Sequence, residues 1–190
     1  MAARQPVARM SYAEYVAAEV HAETKHEYVQ GEIFAMAGGT LEHAALAAAL
    51  AVEIGNALRD KPCRVFSADA RVRIEATNTS TYPDLSVVCG ELLRAAGDDR
   101  ALINPLVLFE VLSESTEAYD RGAKASHYRH IPSLREYVLV SQSEHRVEVQ
   151  RRNESGRWEI HEFGPSDEVQ LEALGIGFAV SALYRDPLAS

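Results

Sequence analysis

The chain has 190 residues, of which 47% are hydrophobic and 25% charged. That length suits one domain better than two, and the composition excludes a disordered chain. No apolar run approaches the roughly 18 residues needed to span a bilayer, so no membrane partner is expected, and the net charge of −9 argues against a surface that attracts nucleic acid everywhere.

Met1 to Met10 carries Arg4 and Arg9 but no apolar stretch of a secretory signal. Residues 1–10 read as a disordered lead-in and 11–190 as one domain. Cys63 and Cys89 are too few for a disulfide scaffold and lack metal-ligand spacing. Each lies in an apolar, strand-like stretch, which predicts free thiols acting as small hydrophobes in a reducing cytoplasm.

In chain order, Ser11 followed by Glu14 is a capping-box pattern that predicts a helix from Tyr12 to about Val20. His26 to Val29 and Glu32 to Met36 flank Gln30-Gly31, a hairpin signal. Thr40 opens an Ala- and Leu-rich helix to about Arg59, apolar around much of its circumference and so expected to be well buried against a sheet. Phe66 to Glu75 alternates apolar and polar residues, the period of a half-buried strand. A polar turn at Ala76 to Thr81 precedes a strand at Leu85 to Cys89, entered through Pro83-Asp84. A polar loop with Gly97, Asp98 and Asp99 comes next, then the apolar run Leu106 to Leu112, of the kind found in central strands. Ser113 to about His130 reads as a helix, Glu136 to Val140 as a strand, and Arg146 to Arg152 with Arg157 to Phe163 as a hairpin. Strands outnumber crossover helices, which gives an α+β fold with a mixed sheet of αβββαβ order and an added β-hairpin.

Glu110 is the polar exception inside its apolar strand. A carboxylate there costs several kcal/mol to bury unless it meets a cation. Arg71 or Arg73 would serve as a buried partner. The other reading is a metal shared with Asp84 at the mouth of the neighbouring strand, since Mg²⁺ takes one or two protein carboxylates and keeps water and phosphate oxygens in its other positions. His127 and His130, three apart on a helix, have zinc-like spacing but no third ligand to match.

Pro83-Asp84, followed by Glu110 within Phe109-Glu110-Val111-Leu112-Ser113, resembles the motif of the PD-(D/E)xK nuclease superfamily. More closely, the sequence is similar to the Uma-two family of restriction-endonuclease-like proteins. The likeness extends to Glu27-Tyr28-Val29-Gln30-Gly31-Glu32, His43, Ser113 to Tyr128, Glu136 to Val140 and Leu183-Tyr184. This resemblance implies a restriction-endonuclease-like fold and an endonuclease that uses Mg²⁺ or Mn²⁺ to hydrolyse phosphodiester bonds of nucleic acid, DNA first. Asp84, Glu110 and the Val111 carbonyl would be the metal ligands, and Glu27 a supporting acid beside them.

One position departs from the superfamily pattern. The lysine expected two residues after the acid is Leu112, which can neither polarise water nor stabilise negative charge. Lys124, in the following helix, is the natural replacement, because helix side chains lean toward the N-terminus and so back toward Glu110. Its alternative is an exposed pair with Asp120. Tyr128, one turn on, would support Lys124 or pack. His43 reads first as a helix-terminal polar residue, and in the alternative as a site residue. Arg71 with Arg73, Arg121 with Lys124 and Arg129, and Arg151 with Arg152 are candidate basic patches, which a homodimer or a partner would complete. Two other functions fit the residues: an interaction module that keeps the nuclease fold without activity, suggested by the missing strand lysine, and a hydrolase of a smaller phosphodiester, suggested by the acidic charge.

Overall fold

The computed structural model describes residues 9–36 and 38–185; residues 1–8 of the predicted lead-in lie outside it. Helix α1 (Tyr12–Glu19) starts at Ser11, whose side chain and that of Glu14 cap each other's backbone N–H. Strands β1 (His26–Val29) and β2 (Glu32–Ala35) form the hairpin, turning at Gln30 and Gly31, whose φ angles are +52° and +98°. Positive φ at both turn positions matches the twist of the paired strands, which is why glycine sits at the second. Met10 is already held to this turn, donating to the Gly31 carbonyl at 2.9 Å.

Helix α2 (Leu41–Ala57) is capped by Thr40, which accepts from His43 N at 3.2 Å. It buries a single stripe, Leu46, Leu50 and Ile54, while Leu41 and Val52 are 85% and 58% exposed. The helix is thus buried against the sheet along that stripe, while the rest of its apolar circumference faces outward. Alanines occupy much of the helix, and they make a sequence look apolar without requiring a partner on every side.

The predicted strand 66–75 is two strands. β3 (Cys63–Ser67) and β4 (Arg71–Ile74) are separated by a turn in which Ala70 N donates to Ser67 O, and they belong to different sheets. Alternation continues unbroken through this corner, so the period of two could not reveal it. The chain continues as β5 (Thr79–Thr81), β6 (Leu85–Cys89), β7 (Arg94–Ala95), β8 (Asp98–Leu102) and β9 (Val107–Leu112). A helical segment follows, made of α3 (Glu117–Tyr119), a π-helical turn (Asp120–Lys124) and α4 (Ala125–Tyr128). Last come β10 (Glu136–Ser141), β11 (Val147–Arg152), β12 (Trp158–Phe163), the small pair β13 (Glu168–Leu171) and β14 (Ile176–Ala179), and α5 (Val180–Leu183).

One sheet has the order β12-β11-β10-β9-β6-β3, with β9 and β10 parallel, and the other β2-β1-β5-β4-β8-β7. The αβββαβ core is α2, β3, β6, β9, the α3–α4 segment and β10. Along β9, Val107, Phe109 and Val111 face α2, β13–β14 and α5. Leu108 and Leu112 face the other way, toward α4 and toward Val72, Ile74 and Leu102 of the second sheet. Glu110 shares the parity of Leu108 and Leu112, so its carboxylate enters the space between the sheets.

Cys63 and Cys89 are joined in a disulfide, which corrects the free-thiol expectation. They are directly opposed in the β3–β6 ladder, a tertiary pairing that their spacing in sequence does not announce.

Arg71 and Arg73 do not meet Glu110. Arg71 is buried in a bidentate pair with Asp98, at 3.1 and 2.6 Å, and donates to Tyr82 at 3.1 Å. Tyr12 also donates to Asp98, and Tyr82 to Glu19, so the network ties α1 to the sheet beneath it. Arg73 lies over the Tyr12 ring and donates to Asn78. Burial alone would raise Asp98, but Arg71 and Tyr12 outweigh it and hold the carboxyl below its ordinary value of 3.8. A depressed carboxylate stabilises the fold above its unfolded pKa and loses that contribution as pH falls through the folded one. Asp98→Ala should cost about 3–5 kcal/mol at pH 7, because it strands a buried guanidinium. Its urea-denaturation stability should also fall less steeply than wild type below pH 4; parallel acid profiles would contradict this.

Candidate active site

Asp84 and Glu110 are brought together by the antiparallel β6–β9 ladder. Leu85 pairs with Phe109, and one further step in that register sets Asp84 opposite Glu110. Asp84 Oδ2 accepts from Val111 N at 2.7 Å and lies 3.2 Å from His43 Nε2. Donation to Asp84 raises His43 above the usual histidine range, and a hydrogen bond to the Val111 backbone adds to this. His43 therefore lines the candidate site beside Asp84, the second of its two expected readings. Its position in the first turn of α2 did not decide between them, because only the packing of α2 on the sheet aims it.

Lys124 returns toward the end of β9, as the direction of helical side chains implies. Its Nζ is 2.8 Å from Glu110 Oε1, 3.1 Å from Glu27 Oε1 and 3.5 Å from Asp120 Oδ1. The pair with Asp120 is buried, not exposed. In the π-helical turn both residues face inward, and the sequence gives no warning of such a turn; these distortions often accompany functional sites. Tyr128 donates to Glu110 Oε1 at 2.8 Å and shares a 3.0 Å hydrogen bond with Thr81, so it supports the acid rather than the lysine. Glu27 Oε1 is buried within ionic reach of Lys124 but has no hydrogen-bond partner, since the contact falls outside hydrogen-bond geometry.

The charges do not balance. Glu27, Glu110 and Asp120 surround Lys124, and Asp84 meets His43. Burial pushes Glu110 well above the usual carboxylate range, and Asp84 and Asp120 add to the shift against the pull of Lys124. Burial likewise raises Asp120. Burial opposes the charged form of Lys124, but Glu110, Glu27 and Asp120 together outweigh it, so the ammonium keeps its proton. All these groups line one cavity of about 540 Å³, together with Val111 and His127.

Asp84 and Glu110 offer oxygen donors, and Glu27 Oε1 near them is buried without a hydrogen-bond partner; carboxylate oxygens fit a hard divalent cation. Among the described residues no group of three or more His, Cys, Asp or Glu forms a ready cage. Asp84 and Glu110 would therefore leave coordination positions for water and phosphate, as Mg²⁺ requires.

The proposed basic patches are largely spent inside the protein. Arg121 binds Glu117 and Glu148, Arg129 donates to Gln150, Arg151 pairs with Glu136 and Glu172, and Arg152 donates to the carbonyls of Arg129, Ile131 and Pro132.

A mixed sheet with an αβββαβ core, and two acids meeting at the end of adjacent strands, defines the restriction-endonuclease-like class. The sequence matches the Uma2 family, described as "Putative restriction endonuclease", over residues 12–183, and the chain belongs to that family. An uncharacterized protein of Synechocystis sp. is 36% identical over 180 residues, covering 95% of this chain and 94% of the relative. A second from the same organism is 32% identical over 168 residues, covering 88% and 95%. Among solved structures, a "putative nuclease belonging to DUF820" from Anabaena variabilis superposes with a TM-score of 0.76 at 20% identity, covering 94% of this chain and 98% of that one. At that identity the likeness establishes the fold.

The ion balance can be tested without any substrate. Lys124→Met should destabilise the metal-free protein by about 3–5 kcal/mol at neutral pH, since it leaves buried acids without their cation. The loss should shrink as pH is lowered, because Glu110 and Asp120, already raised, then take up protons. Adding Glu110→Gln should recover much of it in urea denaturation; additive losses would show that the pair is not coupled.

Proposed function

We propose that this chain is a metal-dependent endonuclease that hydrolyses phosphodiester bonds of DNA. The observation that carries this reading is the convergence of Asp84, Glu110 and Lys124 in one cavity despite the missing lysine at Leu112. Asp84, Glu110 and the Val111 carbonyl would hold Mg²⁺ or Mn²⁺. When bound, such an ion supplies Lewis acidity at the phosphate and a more acidic water.

The protein's own groups do the rest. Lys124 places a fixed positive charge where negative charge grows on the phosphoryl oxygens. Glu27 and Asp120 keep it protonated and aimed. His43, through its contact with Asp84, fixes that carboxylate and offers a second donor at the cavity edge. Tyr128 holds Glu110 in its rotamer from beneath. A cation beside Glu110 would compete with Lys124 for that carboxylate, so in this reading the ion pair of the resting site would be the store of the catalytic cation.

A DNA substrate goes with a cytoplasmic setting. No described helix is long and apolar enough to cross a membrane. A homodimer would extend the DNA-facing surface beyond one cavity.

Cleavage of labelled single-stranded and duplex DNA in Mg²⁺ or Mn²⁺, with EDTA as control, tests the reading. Lys124→Ala, assayed at a temperature where circular dichroism shows it folded, should lose about 100- to 1000-fold in rate. Leu112→Lys in that background should recover part of it, since Leu112 shares the strand face of Glu110. Full activity in Lys124→Ala would remove the lysine from the mechanism. No cleavage by wild type with metal bound would favour an interaction module.

A further inference from the structure

The cavity has two chemically different sides. Its floor carries the acids and Lys124, while Val29, Phe34, Ala35 and Met36 of the β1–β2 hairpin form an apolar wall. Phe34 is 51% exposed on β2, an edge strand of its sheet. Core packing does not account for a ring left half in water at the mouth of a charged site. Ile33, its neighbour, is 46% exposed and does not line the cavity, as the alternation of a strand requires.

The cations supply an independent observation. Duplex DNA is held mainly by Lys and Arg side chains set along its phosphates. Among the described residues no arginine lines this cavity, Lys124 is surrounded by three acids, and the arginines considered for a basic surface are bonded internally. What remains is a concave site of small-ligand size with an aromatic ring beside the place where a phosphate would sit. Unpaired bases stack on such rings whatever their identity, and this binding needs no row of cations. The faces of paired bases are covered by their neighbours in a duplex.

We infer that the site takes single-stranded DNA, with Phe34 a positioning residue that stacks on an unpaired base next to the phosphate presented to Asp84, Glu110 and Lys124. This deepens the nuclease reading and rests on it for the placement of the phosphate.

Binding decides the matter separately from catalysis. Fluorescence anisotropy of a labelled oligothymidylate and of a hairpin duplex should be compared on the full chain at low salt, with Ca²⁺ present. The oligothymidylate should bind at least about tenfold tighter than the duplex. Phe34→Ala should weaken it by about 5- to 100-fold, the range of one lost base–aromatic stack. Phe34→Trp should restore it, and Ile33→Ala should leave it unchanged. Equal or tighter binding of the duplex, no binding of either, or a Phe34→Ala variant that binds like wild type would overturn the inference. Duplex cleavage unaffected by Phe34→Ala would overturn it while leaving the hydrolase reading intact. Phe34-dependent binding without cleavage would do the reverse.

Discussion

Lys124 is an ammonium enclosed by protein, 2.8 Å from a carboxylate that is itself enclosed, and much of the architecture follows from keeping those two charges together. Neither charge would be tolerated alone in such a place. The β6–β9 ladder fixes Glu110, and the π-helical turn fixes Lys124. Tyr128 and Glu27 reach the pair from α4 and β1, so both sheets and the helical segment have a polar anchor at the same point. Arg121, bonded to Glu117 and to Glu148 of β11, ties the helical segment to the first of these sheets from outside. A fold with so much invested at one buried point has its charged groups placed by packing and ion pairing from three sides.

The same enclosure sets a limit on function. The arginines that the sequence grouped into basic patches are engaged in holding the protein together, from Arg71 beneath α1 to Arg152 against the carbonyls after α4. The chain's acidic balance is therefore felt at the site as well as over the surface. A metal ion is the natural way to bring a polyanion to a cavity lined by four acids, and apolar contact with bases is a way to hold it that charge does not oppose. Metal dependence and a stacking wall, as proposed above, would in this sense be two answers to one electrostatic problem.

Much of this was legible in the sequence wherever a local rule applied. A lone acid in an apolar strand marked Glu110, a capping box marked the start of α1, and the lean of helical side chains brought Lys124 back to β9. Features decided by non-local contact were hidden. The corner between β3 and β4 preserves the alternation on either side, so one strand was expected where two exist. Cys63 meets Cys89 only through the β3–β6 register. Asp120 and His43 looked like surface residues because their local patterns, an i,i+4 pair and a helical first turn, are the usual patterns of exposed positions. The basic patches failed for the same reason: an arginine's partner is a matter of tertiary structure, and Arg71 finds Asp98 from another strand.

The central claim is that Asp84 and Glu110 together hold a divalent ion. Anomalous diffraction from a crystal soaked in Mn²⁺ tests it most directly. A peak between the two residues, with a carboxylate oxygen of each at about 2.1 Å and the Lys124 ammonium displaced from Glu110, is the predicted result. A Glu110 still paired with Lys124 and no peak beside Asp84, at a Mn²⁺ concentration that fills other sites in the crystal, would contradict it.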